Sequence, residues 1–319
     1  MPKARVLKLD DAILQQFPPG ARYLIGLSGG RDSIALLHAL RAAGYHNLVV
    51  CHLDHELRGR HSRADAHFVE NLAKTLRLPA EIGTSDVRAL AQKAKLSLET
   101  AARVARYAFF IGVARQRRCR TIFLAHHADD LAETALLNLF RGASPGGLAS
   151  LRPVTSHRIG KTELTVVRPL LGIWRREIDA YVKQHDLKFR EDATNARVGS
   201  RRNRIRHRIL PYIEKQLGRD VRTSIWRAAQ IWLEEELLLD SLLEEEIERE
   251  LRIASLRALP VALQRRQLHR WLREHEIGEV SFDLIEKIRA LLAPQAPTAK
   301  INLARNRHLR RRAGKLFIE

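Results

Sequence analysis

The 319-residue chain predicts a doubly wound α/β fold, a parallel sheet covered by helices, followed by a smaller, mainly helical domain with a terminal hairpin. Three observations carry that prediction. Short apolar runs alternate with amphipathic helical stretches over the first two thirds of the chain, the pattern of parallel strands joined by helical crossovers. Polar clusters directly follow three of the runs, at 28–33, 54–59 and 126–130, and open α/β sheets bind ligands at the carboxyl ends of their strands. From Pro211 onward the pattern turns helical, which puts the domain boundary near residue 215 and divides the chain into 1–215 and 216–319.

Residues 1–20 read as an opening helix with Leu9, Ile13, Leu14 and Phe17 on its apolar face, stopped by Pro18-Pro19-Gly20. Residues 23–27 make a buried strand, and 32–42 a helix with Ile34, Leu37 and Leu40 on one side. A second strand covers 48–53, Ser62 caps a helix to about Arg77, a short strand covers 80–83 and a long helix 98–117. A strand at 121–125 and a helix at 129–140 follow. Beyond the glycine-rich loop at 142–147 come a strand (163–171), a helix (174–185) and a basic polar segment (190–208). The second domain holds an acidic, leucine-rich helix at 231–250, whose apolar face suits either packing within the chain or a homodimer. A helix opened by Leu259-Pro260 follows, where proline fits a first turn, and then a hairpin of 299–303 with 315–318, spaced by the arginine-rich 305–314.

Composition narrows the class. Lysine and arginine number 56 against 36 aspartates and glutamates, a net charge of +20, and an excess that large points to a polyanionic partner, nucleic acid ahead of a membrane surface. The two cysteines, Cys51 and Cys119, form no Cys-x-x-Cys and predict neither a disulfide framework nor a metal cluster. No apolar run nears the ~20 residues of a membrane span, and no signal-peptide core is evident; the expected location is the cytosol.

The stretch that organises the rest is Ser28-Gly29-Gly30-Arg31-Asp32-Ser33, between the first strand and the first helix of the sheet. A strand, a glycine turn and a helix start bring free N–H groups to the positive end of a helix dipole, which holds phosphate. The string is neither a Walker loop nor a dinucleotide fingerprint. Asp32 stands where a Walker loop has lysine, so a metal ion is needed between that carboxylate and a phosphate. His126-His127-Ala128-Asp129-Asp130-Leu131-Ala132-Glu133-Thr134 packs two imidazoles and three carboxylates into a strand end and the first helical turns, with Asp130, Glu133 and Thr134 on one face. Its spacing differs from the His-Glu-x-x-His zinc pattern. His52 and the charged residues to Arg58-Gly59 lie where a doubly wound sheet would read adenosine or a second substrate. Arg103 and Tyr107 share a face of the long helix. The run Arg201, Arg202, Asn203, Arg204, Arg206, Arg208 suits phosphate-backbone contact, with weaker phosphate candidates at Arg115, Arg117, Arg118, Arg120 and 305–312.

Together these motifs resemble the tRNA(Ile)-lysidine synthetase family. Ser28 to Ser33 is similar to the phosphate loop (PP-loop) of the ATP pyrophosphatase superfamily. His52-Leu-Asp-His-Glu-Leu-Arg-Gly59, Glu99-Thr-Ala-Ala-Arg-Val-Ala-Arg-Tyr107, Ala125 to Thr134, Arg141-Gly142 with Gly146-Gly147-Leu148, Arg168-Pro-Leu-Leu171 and 192–211 narrow the resemblance to this family. Asp54 departs from it, standing where Asn is expected in His-x-Asn-His, and the C-terminal region is short. The resemblance implies an adenine nucleotide alpha hydrolase-like fold and a two-step reaction on cytidine 34 of an isoleucine tRNA with a CAU anticodon. ATP adenylates the C2 oxygen of that cytidine; the amine of free L-lysine then attacks C2 and displaces AMP.

The roles it implies are specific. Ser28, Gly29, Gly30, Arg31, Asp32 and Ser33, with His52 and Arg103, bind ATP, and Asp32 bridges through Mg²⁺. Asp130, Glu133 and Asp32 hold lysine. Arg106 and Arg202 stabilise the departing pyrophosphate, and a carboxylate or His126 takes the amine proton. Arg58, Arg141, Arg201, Arg202, Asn203 and Arg206 contact tRNA. The alternatives are a tRNA 2-thiolating enzyme with the same ATP loop, which would need reactive cysteines or a sulfur donor, and a non-catalytic RNA-binding protein built on this scaffold.

Overall fold

The computed structural model describes residues 7–57, 60–143, 145–149, 151–159, 162–191, 201–243, 248–278, 280–296, 299–304 and 306–319. They form two compact units, Met1–Leu233 and Glu234–Glu319.

The first unit opens with helix α1 (Asp11–Gln16), strand β1 (Tyr23–Gly26), α2 (Arg31–Ala42), β2 (Leu48–Asp54), α3 (Arg60–Thr75) and β3 (Ala80–Thr84). Helices α4 (Val87–Ala94) and α5 (Leu98–Gln116) lead to β4 (Thr121–Phe123) and α6 (Ala128–Leu139). The short α7 (Pro145–Leu148), β5 (Val154–Ile159), β6 (Thr162–Val167), α8 (Arg175–Gln184) and α9 (Arg201–Arg204) follow. A π-helical turn, Ile205–Ile209, then runs into α10 (Leu210–Leu217), and α11 (Val221–Ser241) carries the chain across the division.

The sheet order is β3-β2-β1-β4-β6-β5, parallel throughout except for β5, the doubly wound arrangement the sequence predicts. Alternate residues serve opposite faces. Ile25, Leu48, Val50, Phe123 and Val167 pack with α2 and α8; Leu24, Val49, Cys51, Ile122 and Val166 pack with Phe110 and Ile111 of α5. The chain winds outward from β1 to β3, then returns past β1 to start β4. The loops after β1 and β4 therefore diverge from adjacent strand ends, and such a reversal is where open sheets form a ligand crevice. Gly26 is required at the end of β1, since a Cβ there would lie 2.5 Å from Leu124 Cδ2.

Several elements differ from their predicted extents. Helix α1 is only six residues long because the Asp10 carboxylate accepts the N–H of Ile13 at 3.1 Å and caps it. Ser62 lies inside α3 rather than at its start. Helix α4 and strand β5 were not anticipated. The strand predicted over 163–171 stops at Val167, where Arg168 N–H turns to the Pro153 carbonyl and Pro169 has no N–H to offer. The boundary falls after Leu233 rather than near residue 215, because α10 and the first half of α11 belong to the first unit's packing. Ile225, Trp226 and Ala229 lie against Leu131, Ala135 and Leu171, and Leu210 and Val221 against Leu136 and Ile205.

The second unit contains β7 (Leu251–Arg252), α12 (Ile253–Ala258), α13 (Val261–Glu274), α14 (Phe282–Ala290), β8 (Lys300–Asn302), β9 (His308–Arg312) and β10 (Lys315–Ile318). Its antiparallel sheet, ordered β7-β10-β9-β8, packs Leu309 and Leu316 against Trp271, Leu268 and Ile288. The terminal hairpin is β9–β10 across Ala313 and Gly314, both at positive φ, which matches the twist of a two-residue hairpin turn. The predicted pairing of 299–303 with 315–318 misses β9 between them. That strand hides a single buried leucine among arginines, and Arg311 donates to the Leu291 carbonyl at the end of α14 at 2.8 Å. Of the acidic helix predicted at 231–250, α11 covers the part up to Ser241, and 244–247 lie outside the described residues. Ile231, Leu238 and Leu242 are exposed. Among the described residues no helix is long and apolar enough to cross a membrane.

Candidate active site

The crevice between β1 and β4 gathers most of the predicted residues. Gly29 takes φ +83°, a left-handed conformation that favours glycine. Gly30 caps α2 without a side chain, leaving the first N–H groups of the helix without a side-chain cap. Ser28 Oγ accepts the Gly30 N–H at 3.2 Å and lies 3.2 Å from Ser33 Oγ, which donates to the Gly30 carbonyl at 2.8 Å. The loop is thereby a preformed cradle.

Asp32 sits in the first turn of α2. Its Oδ2 accepts from Arg175 Nη1 at 2.9 Å, and its Oδ1 is buried without a partner. Burial, with repulsion from Asp130, holds its carboxyl above the usual range despite His127, Arg175 and Arg206. A buried carboxylate oxygen with an unused acceptor, beside a phosphate cradle, fits a hard divalent cation that takes its remaining ligands from phosphate and water. Among the described residues no cluster of three or more histidine, cysteine, aspartate or glutamate side chains could hold a metal by itself.

Across the crevice, α6 presents Asp129, Asp130 and Glu133. The His127 N–H donates to Asp130 Oδ2 at 3.1 Å and fixes that side chain at the helix start. His127 is enclosed by carboxylates, with Nε2 3.5 Å from Asp130 and 3.9 Å from Asp32, and Nδ1 3.6 Å from Asp129. Burial alone would lower its pKa; Asp130, Asp129 and Asp32 together outweigh it and raise it. Asp130 is held well below the carboxylate range, since His127, Arg202, His126 and Arg206 overcome the opposing effect of burial. His126 behaves oppositely: burial, with Arg168, Arg202 and Arg106 nearby, pushes it down to about 3 against the pull of Asp130.

Glu133 is 1% exposed and wholly committed to two arginines. Arg206 Nε donates to Oε1 at 2.6 Å and its Nη2 to Oε2 at 2.9 Å, while Arg202 Nε donates to Oε2 at 3.0 Å. Both guanidinium groups also reach Asp130 Oδ1, at 3.1 and 3.2 Å. The two arginines lie four apart, on α9 and the π-helical turn that follows it, so both address one face of α6. Arg202 and Arg206 were expected on tRNA, and Arg202 also on pyrophosphate. Here their donors are turned inward because the buried carboxylates would otherwise be unpaired.

Other predicted residues stand elsewhere. The Arg31 side chain pairs with Asp179 at 2.5 Å and lies over the Phe189 ring, while its backbone lies at the cradle. His52 is buried, with Nδ1 2.8 Å from the Leu27 carbonyl, and ties β2 to β1. Arg103 stacks 5.6 Å over Tyr107, and Arg106, exposed on the same helix, reaches His55 Nε2 at 3.5 Å. Arg141 and Arg201 are exposed, Asn203 is half-buried, and Arg58 lies outside the described residues. The departure at Asp54 has a local role: its Oδ1 accepts the Glu56 N–H at 2.8 Å and shapes the turn after β2.

Sequence reasoning passed over Arg175, which links Asp32 to Asp179 at 3.2 Å and whose N–H donates to Asp129 at 2.9 Å. A signal existed, an arginine opening a helix directly after a predicted strand end. Arg175, Asp129, Trp174 and Arg222 border a cleft of about 680 Å³ beside this wall. Cys51 and Cys119 are both buried, and burial pushes the Cys51 thiol far up.

Residues 5–213 match a family described as the PP-loop domain, and 251–317 match the TilS substrate binding domain. A tRNA(Ile)-lysidine synthase of Geobacter sulfurreducens is 40% identical over 301 residues, covering 90% of this chain and 62% of that protein. One of Thermosynechococcus vestitus is 35% identical over 306 residues, covering 93% of this chain and 86% of that protein. Among solved structures, a U34-tRNA thiolase of Methanococcus maripaludis with its [4Fe-4S] cluster superposes with a TM-score of 0.53 at 20% identity, covering 67% of this chain and 72% of that one, a likeness of fold.

Proposed function

The chain belongs to the tRNA(Ile)-lysidine synthase family, and we propose that it ligates L-lysine to C2 of cytidine 34 in an isoleucine tRNA with a CAU anticodon, consuming ATP and releasing AMP and pyrophosphate. The chain spans about 62% of the Geobacter relative's length, so activity, substrates and partners are inferred for these residues and not transferred from the longer protein.

The observation that carries the reading is the buried Glu133 and the partly buried Asp130 beside it, both engaged by cationic N–H donors. A site that holds two guanidinium groups has the charge and acceptor geometry for the ammonium groups of lysine, each with three donors. In this reading Arg202 and Arg206 occupy the lysine position in the resting enzyme and move to phosphate when ATP and tRNA arrive. There they offset charge on the departing pyrophosphate or on the tRNA backbone. The cradle at 28–33 holds the phosphates through backbone N–H groups, and Asp32 Oδ1 would receive Mg²⁺. A cation held there would supply charge neutralisation at the phosphates. Arg106, with few opposing carboxylates, faces the same anionic substrate. A carboxylate, Asp130 or Asp32, takes the proton from the attacking amine, a general-base contribution on the order of 10²–10⁴ in rate. The exposed arginines Arg141 and Arg201 are the remaining tRNA candidates on this unit, and the second unit is assigned to tRNA.

A sulfur-transferring role is less well supported, since both cysteines lie within the core and offer no thiol to the crevice. The deciding experiment is mass spectrometry of isoleucine tRNA after incubation with ATP, Mg²⁺ and labelled lysine. The expected product carries the lysine mass on C34, formed with stoichiometric pyrophosphate; pyrophosphate release without that mass, or neither, overturns the reading.

A further inference from the structure

Arg168, at the end of β6, has no part in the reactions above, yet it is among the most buried charged groups of the chain, at 2% exposure. Its Nη1 donates to the Arg152 carbonyl at 2.8 Å and to Thr155 Oγ1 at 2.9 Å, and its Nε lies 3.3 Å from His126 Nδ1; Tyr107 is a further hydrogen-bond neighbour. Among the described residues none of its hydrogen-bond or ion-pair partners is a carboxylate. A guanidinium buried without an anion is costly, which calls for a reason at this position. The topology supplies the contact. Strands β4 and β6 are parallel neighbours with Phe123 opposite Val167, Leu124 N–H donates to the Val167 carbonyl and His127 bridges Leu170. Residues leaving the two strands therefore travel side by side, and Arg168 meets His126.

The chemistry of that contact has one solution. An arginine Nε can only donate, so Nδ1 of His126 must accept, and the imidazole proton resides on Nε2. The charges acting on His126 come from Asp130 of α6, Arg168 just after β6, Arg202 of α9 and Arg106 of α5, three cations against one carboxylate, so a second proton is disfavoured. We propose that Arg168 is a positioning residue that locks His126 as a neutral Nε2–H donor, and that His126 hydrogen-bonds an oxygen gaining negative charge during adenylyl transfer instead of taking a proton from lysine. Of the two candidates for the base, a carboxylate or His126, this leaves the carboxylate. The catalytic half of the proposal rests on the function inferred above; the tautomer does not.

Nuclear magnetic resonance of the full-length, imidazole-¹⁵N-labelled protein decides the tautomer without substrate. The expected His126 signal has a proton on Nε2, none on Nδ1, and no titration between pH 5 and 8; in R168M it becomes a mixture of tautomers. A proton on Nδ1, a titration within that range, or an R168M spectrum identical to the native one overturns the proposal. Kinetics of pyrophosphate release test the donor role with Arg168 intact, which covers the case of R168M failing to fold. Glutamine offers an N–H near the Nε2 position but accepts no proton at neutral pH. H126Q is expected within about tenfold of native while H126A falls by about 10²-fold, as for loss of one preorganised donor. Equal losses in H126Q and H126A overturn the donor role. R168M and H126A combined should cost little more than H126A alone; additive losses overturn the claim that Arg168 acts through His126. Native enzyme that releases no pyrophosphate with this tRNA would defeat the function inferred above, while the spectra would still settle the tautomer.

Discussion

His126 and His127 are adjacent, and their surroundings push them in opposite directions. His126 meets cations and stays neutral, whereas His127 is surrounded by Asp130, Asp129 and Asp32 and has its pKa raised. A raised histidine pKa makes the folded state the better proton binder. Its stabilisation is therefore complete below the ordinary value of 6.5 and is lost as pH rises through the higher folded value. Urea unfolding from pH 5.5 to 9 should show stability falling above about pH 6.5, and H127Q should flatten that slope. An unchanged slope in H127Q would show that other groups carry it. Asp130 is tied to the same histidine and to both arginines. D130A is expected to lower lysine incorporation at least ~10-fold, since a charge-assisted hydrogen bond contributes about 1.5–3 kcal/mol, with ATP affinity changed far less. Incorporation near the native rate would remove Asp130 from the lysine site.

At the scale of elements, α9 and the π-helical turn bring Arg202 and Arg206 onto one face of α6. Removing Glu133 leaves two guanidinium groups beside a buried void. E133A should lower the unfolding free energy by about 2 kcal/mol, below the 3–5 kcal/mol of a fully buried pair because the arginines are partly exposed. Denaturant titration measures it. If the arginines block lysine in the resting enzyme, R206A should bind lysine measurably by calorimetry without ATP, where the native enzyme binds it only with ATP and tRNA present. Equal lysine binding by both proteins would end that ordering.

Much of this element-level arrangement was legible in the sequence. The apolar runs marked β1, β2 and β4, and the polar strings after β1 and β4 marked the two sides of the crevice, because buried strands and the residues at their ends carry strong local signals. Long-range pairing was not legible. Nothing local says that the arginines near residue 202 pair with Glu133, that Arg31 turns to Asp179, or that His52 meets the Leu27 carbonyl. Strand β9 escaped for a related reason: Leu309 alone marks its buried side, and the surrounding arginines read as a spacer.

At the scale of the whole molecule, the +20 net charge remains the clearest sign of a polyanionic partner, even with many arginines engaged in ion pairs. Those pairs decide how much of the excess is available. Arg202, Arg206, Arg175 and Arg222 are neutralised by Glu133, Asp130, Asp32 and Glu214, so counting arginines overstates the phosphate contacts. Binding to RNA releases counterions in proportion to the phosphates neutralised, and for duplex regions the slope of log affinity against log salt is about −0.9 per contact. With tRNA alone, the inward-facing pair contributes nothing and the slope should be set by exposed arginines. With an ATP analogue present, freed Arg202 and Arg206 should steepen it by one or two contacts. Filter binding of isoleucine tRNA between 50 and 300 mM salt, with and without the analogue, measures both slopes. R202A/R206A should remove the difference while leaving the nucleotide-free slope unchanged. If the double variant instead lowers the nucleotide-free slope, the two arginines already contact RNA in the resting enzyme, and their ion pairs with Asp130 and Glu133 do not persist when tRNA binds.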